Sequence, residues 1–266
     1  MEITVGRHTM RAHERGSGEP VVLIHSTGMS SRQWRRTAEA LEGDYRAILP
    51  DLIGYGESSR FAPGEYIHFT VDQLALQALI DEVGPCHLVG HSYGGFLALL
   101  AALQRPHGVK SVAVYEPVAF GVLRSTRDAE ALATLDVASE HENPTTEDER
   151  ERWLARFIEY WNGPGAWETL PAPLKQDMRD AAPKVIGEVT TLGEDRTPHT
   201  AYETLTIPTL LLGGADTTLA AKRVLDALER AIPKTTRHAI EGASHMGPLT
   251  HGAEVTARIV EHLART

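Results

Sequence analysis

Short runs of hydrophobic positions along this chain are separated by longer stretches with helical spacing. Runs near 20–25, 45–49, 86–91, 111–116, 207–213 and 235–240 read as strands, and residues near 2–14 read as a hairpin. Helical spacing fills the intervals near 30–42, 70–83, 93–105, 218–232 and 252–265. Strand–helix alternation of this kind implies right-handed crossovers, so the pattern predicts an α/β fold: a mostly parallel eight-stranded sheet flanked by helices. The alternation stops between 118 and 204. That stretch is helical in pattern, charged over 147–152, and broken by Asn162-Gly163-Pro164-Gly165 and Pro171-Ala172-Pro173. It predicts a helical cap inserted into a core formed by residues 1–117 and 205–266, placed over the C-terminal strand ends where α/β sites form.

The run that starts at Cys86 ends in Gly90-His91-Ser92-Tyr93-Gly94, and the apolar helical stretch Phe96-Leu97-Ala98-Leu99-Leu100 follows. A strand that must reverse into a helix within so few residues holds its central serine in a strained conformation, with the hydroxyl projecting above the sheet. Gly90 and Gly94 fit this reading because helix and strand approach too closely for a Cβ. A serine hydroxyl is a weak nucleophile at neutral pH, so a base, an acid that orients the base, and donors for an oxyanion are required. His245, in the small-residue loop Glu241-Gly242-Ala243-Ser244-His245-Met246-Gly247, is the candidate base. Asp216, after the run Thr209-Leu210-Leu211-Leu212-Gly213, is the expected acid, and Glu116, after Val112-Ala113-Val114-Tyr115, is its alternative. The strand Val21-Val22-Leu23-Ile24 runs into His25-Ser26-Thr27-Gly28, where a backbone N–H can face a substrate oxygen.

With these residues in the order Ser92, Asp216, His245, the chain resembles the α/β-hydrolase superfamily, in its serine-hydrolase branch with a helical cap. The segment Leu49-Pro50-Asp51-Leu52-Ile53-Gly54-Tyr55-Gly56 resembles the family's loop after its fourth strand. Carried over residue by residue, the resemblance implies Ser92 as nucleophile, His245 as base, Asp216 as its orienter, and the N–H groups of Thr27 and Tyr93 as the oxyanion hole. Some family members carry the acid at the position of Glu116. Two positions depart from the family's habit: Ser26 stands where glycine is usual, and Ala220 where proline is frequent. Ser26, Met246 and the cap residue Trp167 are expected at the substrate. Trp153, Phe157 and Trp161 share one helical face with Tyr160 beside it, which reads either as a stripe that glues the cap down or as a wall for an apolar acyl or alcohol group.

Composition narrows the partners. With 26 basic against 36 acidic residues the formal charge is −10, which disfavours nucleic acid and anionic membrane surfaces. The single Cys86 sits in an apolar strand and has no internal partner, as in a reducing cytoplasm. No run is long enough to span a bilayer and no signal segment is evident. His87 and His91 lie on a strand, about 13 Å apart, too far to share a metal. The expectation is therefore a cytoplasmic, cofactor-free enzyme, monomeric or homodimeric, that hydrolyses a carboxylic ester of a small to medium apolar molecule. Carbon–carbon hydrolysis of a diketone-like ring-cleavage product and perhydrolysis use the same three side chains and stand as alternatives, and a ligand-binding protein without turnover is the rival from another class.

Overall fold

The computed structural model describes residues 1–139 and 144–266. Eight strands form one sheet: β1 (Glu2–Val5), β2 (His8–Gly16), β3 (Glu19–Ile24), β4 (Tyr45–Asp51), β5 (Cys86–His91), β6 (Val109–Tyr115), β7 (Thr209–Gly214) and β8 (Thr235–Ile240). Their order is β1-β2-β4-β3-β5-β6-β7-β8. The pairs β1/β2 and β2/β4 are antiparallel, and all others are parallel. Helices α1 (Arg35–Leu41), α2 (Phe69–Val83) and α3 (Tyr93–Gln104) connect strands in the first half, and α10 (Leu219–Ala231), α11 (Gly247–Thr250) and α12 (Gly252–Leu263) follow β7. Between β6 and β7 the chain makes α4 (Gly121–Thr126), α5 (Ala129–Ser139), α6 (Glu147–Asn162), α7 (Ala166–Thr169), α8 (Ala172–Asp180) and α9 (Ala182–Leu192).

The central strands read as unbroken apolar runs because both sheet faces are covered. Successive side chains point to opposite faces: Val22, Ile24 and Leu88 enter a core shared with α2, α3 and α10, whereas Val21, Leu23 and Val89 enter a second core shared with α1 and α12. Cys86 is buried, and burial pushes its thiol up to about 12, so it is inert in the resting protein. Among the described residues no helix is long and apolar enough to cross a membrane.

Most element limits match the hydrophobic pattern, with local differences. The helix expected over 30–42 divides into a 3-10 turn at Ser31–Trp34 and the shorter α1. The strand expected over 111–116 runs from Val109 to Tyr115, which leaves Glu116 just beyond it with φ +42°. The long helix of the inserted segment, α6, is set by its ends. Thr146 Oγ1 accepts from the Glu149 amide while the Glu149 carboxylate accepts from the Thr146 amide, and Gly163 at φ +91° closes the other end.

The turn from β5 into α3 is tight. Ser92 takes φ +54° and ψ −114°, and a Cβ on Gly94 would lie 2.4 Å from the carbonyl oxygens of both Ile24 and His25. These contacts are with backbone, which cannot rotate away. Gly94→Ala is therefore expected to cost about 1–3 kcal/mol of stability, in the range of other overpacked sites, measured as a drop in the urea midpoint at unchanged m-value. A variant as stable as the parent would show that the turn has slack.

Candidate active site

Ser92 follows β5, Glu116 follows the adjacent strand β6, and His245 lies in the loop between β8 and α11. The structure brings all three together. His245 Nδ1 lies 2.8 Å from Glu116 Oε2, and Nε2 lies 3.0 Å from Ser92 Oγ. A carboxylate can only accept, so Nδ1 carries the proton and Nε2 is left with a lone pair facing the serine hydroxyl. All three side chains are buried, with Glu116 at 1% exposure and His245 at 4%. The remaining valences of Glu116 are filled by the Gly214 amide on Oε1 at 2.7 Å and the Thr217 hydroxyl on Oε2 at 2.7 Å.

The expected contact between Asp216 and His245 is not made. Asp216 is exposed, and its amide donates to Ala243 O at 2.9 Å, which ties the β7 loop to the histidine loop. That register turns the next residue, Thr217, inward and sends the Asp216 side chain to solvent. The β7 loop thus supplies donors to the carboxylate of its neighbour strand rather than a carboxylate of its own. The position just past β6 was readable as the alternative; the neighbouring hydroxyl that favours it lies about a hundred residues away in sequence and gave no local signal.

The loop after β3 is locked from both sides. His25 Nδ1–H donates to Ser26 O at 2.8 Å while its Nε2 accepts from the Leu52 amide at 3.0 Å. The Ser26 amide donates to Gln33 Oε1 at 2.9 Å, the Gln33 amide group donates to His91 Nδ1 at 2.9 Å, and His91 Nε2–H donates to the carbonyl of His245 at 2.8 Å. A buried chain of hydrogen bonds therefore runs from the Ser26 loop to the His245 loop. Burial pushes His25 below the usual imidazole range and His91 well below it, so each ring keeps one donor and one acceptor, as the chain requires. Ser26, expected at the substrate, is buried with its amide and carbonyl both used inside this network.

A cavity of about 1020 Å³ opens above Ser92 and Thr27. Its walls include Phe61, Ile67, Leu132, Phe157, Trp161 and Ile186, with Arg124, Arg150 and Glu65 among the polar side chains. Two expected members are elsewhere. Trp167 is 3% exposed and packs within the helices after α6, with Lys175 Nζ 5.4 Å from its ring centre, and it does not line the cavity. Met246 caps α11 with its carbonyl and is also absent from the lining. Phe157 and Trp161, from the stripe on α6, take the place expected of Trp167; the Gly163-Pro164-Gly165 break folds α7 back and buries its tryptophan instead of freeing it.

The model of the alpha/beta hydrolase family matches residues 21–259, nearly the whole chain, from within β3 to α12. The chain belongs to this family. Among curated proteins it is 26% identical over 246 residues to a pimeloyl-[acyl-carrier protein] methyl ester esterase of Aliivibrio salmonicida, covering 90% of each chain. It is 27% identical over 281 residues to a 2-hydroxymuconate semialdehyde hydrolase of Pseudomonas putida, covering 98% of this chain and 92% of that one. Its fold is similar to that of an esterase from Thermogutta terrifontis, with a TM-score of 0.75 at 23% identity over 100% of this chain and 98% of that one. The chain is thus an enzyme of the alpha/beta hydrolase family, built on the eight-stranded sheet that its hydrophobic pattern predicted.

This hydrolase also carries a buried charge cluster beneath the serine turn. Asp72 on α2 accepts from the Ile53 amide at 2.9 Å, the Tyr93 hydroxyl at 2.8 Å and Lys184 Nζ at 2.5 Å. Lys184 lies 3.1 Å from Glu188, one turn along α9, and the Tyr55 hydroxyl donates to Glu188 Oε2 at 2.8 Å. The cluster joins α9 of the inserted segment to Tyr93, the residue after Ser92. It holds one cation against two carboxyl groups. Burial, with Asp72 nearby, pushes Glu188 up to about 7.

Two predictions follow from these arrangements. Glu116→Gln should lower kcat by about 10³–10⁴, the range for losing the orienting carboxylate of such a triad, whereas Asp216→Asn should stay within about twofold, since its side chain reaches solvent. The reverse order would return the acid to Asp216. For Glu188, the folded carboxyl binds its proton up to about pH 7 and the unfolded one only to about 4.5, so its contribution to stability is present at low pH and is lost as pH rises through that window. Glu188→Gln should therefore gain on the parent by on the order of 1–3 kcal/mol between pH 5 and pH 8 in urea unfolding. A difference independent of pH would assign the buried proton elsewhere.

Proposed function

We propose that this hydrolase cleaves a carboxylic ester of a small to medium, largely apolar molecule through an acyl-enzyme, with Ser92 as nucleophile, His245 as general base and Glu116 as its orienter. The observation that carries the proposal is the continuous line Ser92 Oγ, His245 Nε2, His245 Nδ1, Glu116 Oε2, with steps of 3.0 Å and 2.8 Å, whose Ser92 end lines the cavity. Nε2 takes the hydroxyl proton as Oγ attacks the ester carbonyl, and the Glu116 carboxylate stabilises the imidazolium that results. The carbonyl oxygen becomes an oxyanion that needs donors. The amide of Tyr93, the first residue of α3, has no partner within its own helix. With the Thr27 amide, in the loop held by His25 and Gln33, it forms the oxyanion hole of this reading. The imidazolium then protonates the leaving alcohol, and water, deprotonated by the same Nε2, releases the acid.

The apolar lining favours hydrocarbon acyl or alcohol groups, and the helices between 118 and 204 serve as the cap that selects them. A family likeness alone does not fix a substrate. The esterase name of one full-length relative supports the ester reading, while the name of the other leaves carbon–carbon hydrolysis as the alternative outcome of the same test. A panel of p-nitrophenyl esters of graded chain length, run beside a vinylogous diketone, decides between them. Ester turnover should exceed diketone turnover and should fall by at least about 10³ in both Ser92→Ala and His245→Ala, because the triad acts as a unit. An organophosphonate should leave its adduct on Ser92 by mass spectrometry. Either variant keeping kcat within tenfold of the parent would sink the mechanism.

A further inference from the structure

The two hydrogen bonds of His245 hold the ring at Nδ1 and Nε2. Two such anchors restrain rotation about the line through those atoms only weakly, and that rotation tilts the Nε2 lone pair away from the serine. What stops it must lie against the ring faces. His91 sits with its ring centre 5.0 Å away at a tilted interplanar angle of 46°, itself fixed by Gln33 and the His245 carbonyl. Trp161 lies closer and flatter against the ring, stacked at 3.9 Å and 25°.

Trp161 belongs to α6, not to the sheet. Tyr160 meets its ring edge-on at 4.8 Å, and one and two turns back Phe157 and Trp153 stack at 5.5 Å and 13° to continue the aromatic stripe. The indole is 8% exposed and faces the cavity as well as the imidazole. An indole is the most favourable of the aromatic faces for a cation, and a desolvated one more so. During turnover the ring it covers becomes an imidazolium twice, once in acylation and once in deacylation.

We infer that Trp161 is a positioning residue for His245: its indole holds the imidazole in the plane of Ser92 and Glu116 and stabilises the imidazolium formed at each proton transfer. The inference rests on the proposed roles of Ser92 and His245. It follows that the base is fully in place only while α6 is docked over the sheet, so the segment that selects substrate also completes the catalytic geometry.

The test compares Trp161→Phe, Trp161→Leu and Trp161→Met with the parent, using the second-order rate of Ser92 labelling by a fluorophosphonate and steady-state kinetics on a short and a long acyl ester. Trp161→Leu should lose about 10–100-fold in labelling rate and in kcat, with KM within about threefold, because the loss falls on proton transfer rather than on binding. The factor should be the same for both chain lengths, and Trp161→Phe should recover most of it. In the NMR spectrum the ring protons of His245, shielded by the stacked indole in the parent, should move downfield in Trp161→Leu. Trp161→Met, close in volume and without a ring, serves in place of the leucine variant if that one does not fold. Labelling and kcat at parental level, with KM changes graded by chain length, would make Trp161 a pocket wall and overturn the inference alone. A parent protein that takes no label at Ser92 would overturn the nucleophile assignment and this inference with it.

Discussion

The geometry of the proposed catalytic site depends on one register. β5 and β6 pair in parallel with His91 opposite Tyr115, so the next residue of each strand, Ser92 and Glu116, stands at the same height above the sheet. The ladder continues one step beyond the strands: the Ser92 amide donates to Tyr115 O and the Glu116 amide to Leu212 O. Both residues are then forced to positive φ, +54° and +42°, which for side chains other than glycine costs on the order of 1–3 kcal/mol each. Those hydrogen bonds and the glycine contacts around the turn hold the strain in place. A slip of one residue in this pairing would bring neither functional group to the imidazole.

Around that register the protein spends buried polarity in two places with different logic. The chain through Gln33 and His91 is neutral and every member is satisfied, so it fixes backbone positions at low electrostatic cost. The Asp72, Lys184 and Glu188 cluster is charged, and one carboxyl group remains uncompensated unless it holds a proton. Replacing such clusters with apolar residues is often neutral or stabilising. Through this cluster the inserted helix α9 is tied to Tyr93, the residue after Ser92.

Much of this was legible in the sequence. The apolar runs located the sheet because strands covered on both faces leave no polar alternation, and the glycine spacing around Ser92 located the turn because only a close backbone approach demands it. His245 was legible from its small-residue loop. The partner of His245 was harder: Asp216 and Glu116 each follow an apolar strand, and it is Glu116 that Thr217, Gly214 and His245 approach in the folded sheet. Trp167 was misjudged for a related reason. A break in helical pattern says that the chain turns there, not which way, and the turn carries this side chain inward. His91 was legible as a packed, hydrogen-bonded neighbour of the serine, but Gln33 and Lys184 had no signal, since a polar residue inside an amphipathic pattern reads as surface until its partners are known.

The Gln33–His91 chain has a consequence for how this protein can vary. The amide of Ser26 and the carbonyl of His245 belong to the main chain and cannot be replaced by mutation, so they present a fixed donor at one end of the gap and a fixed acceptor at the other. Any pair of side chains that bridges them must accept at the first and donate at the second, and a change in one member leaves its partner with an unanswered polar atom in a dry interior. Gln33 and His91, fifty-eight positions apart, are in effect a single heritable character, to be exchanged together or not at all.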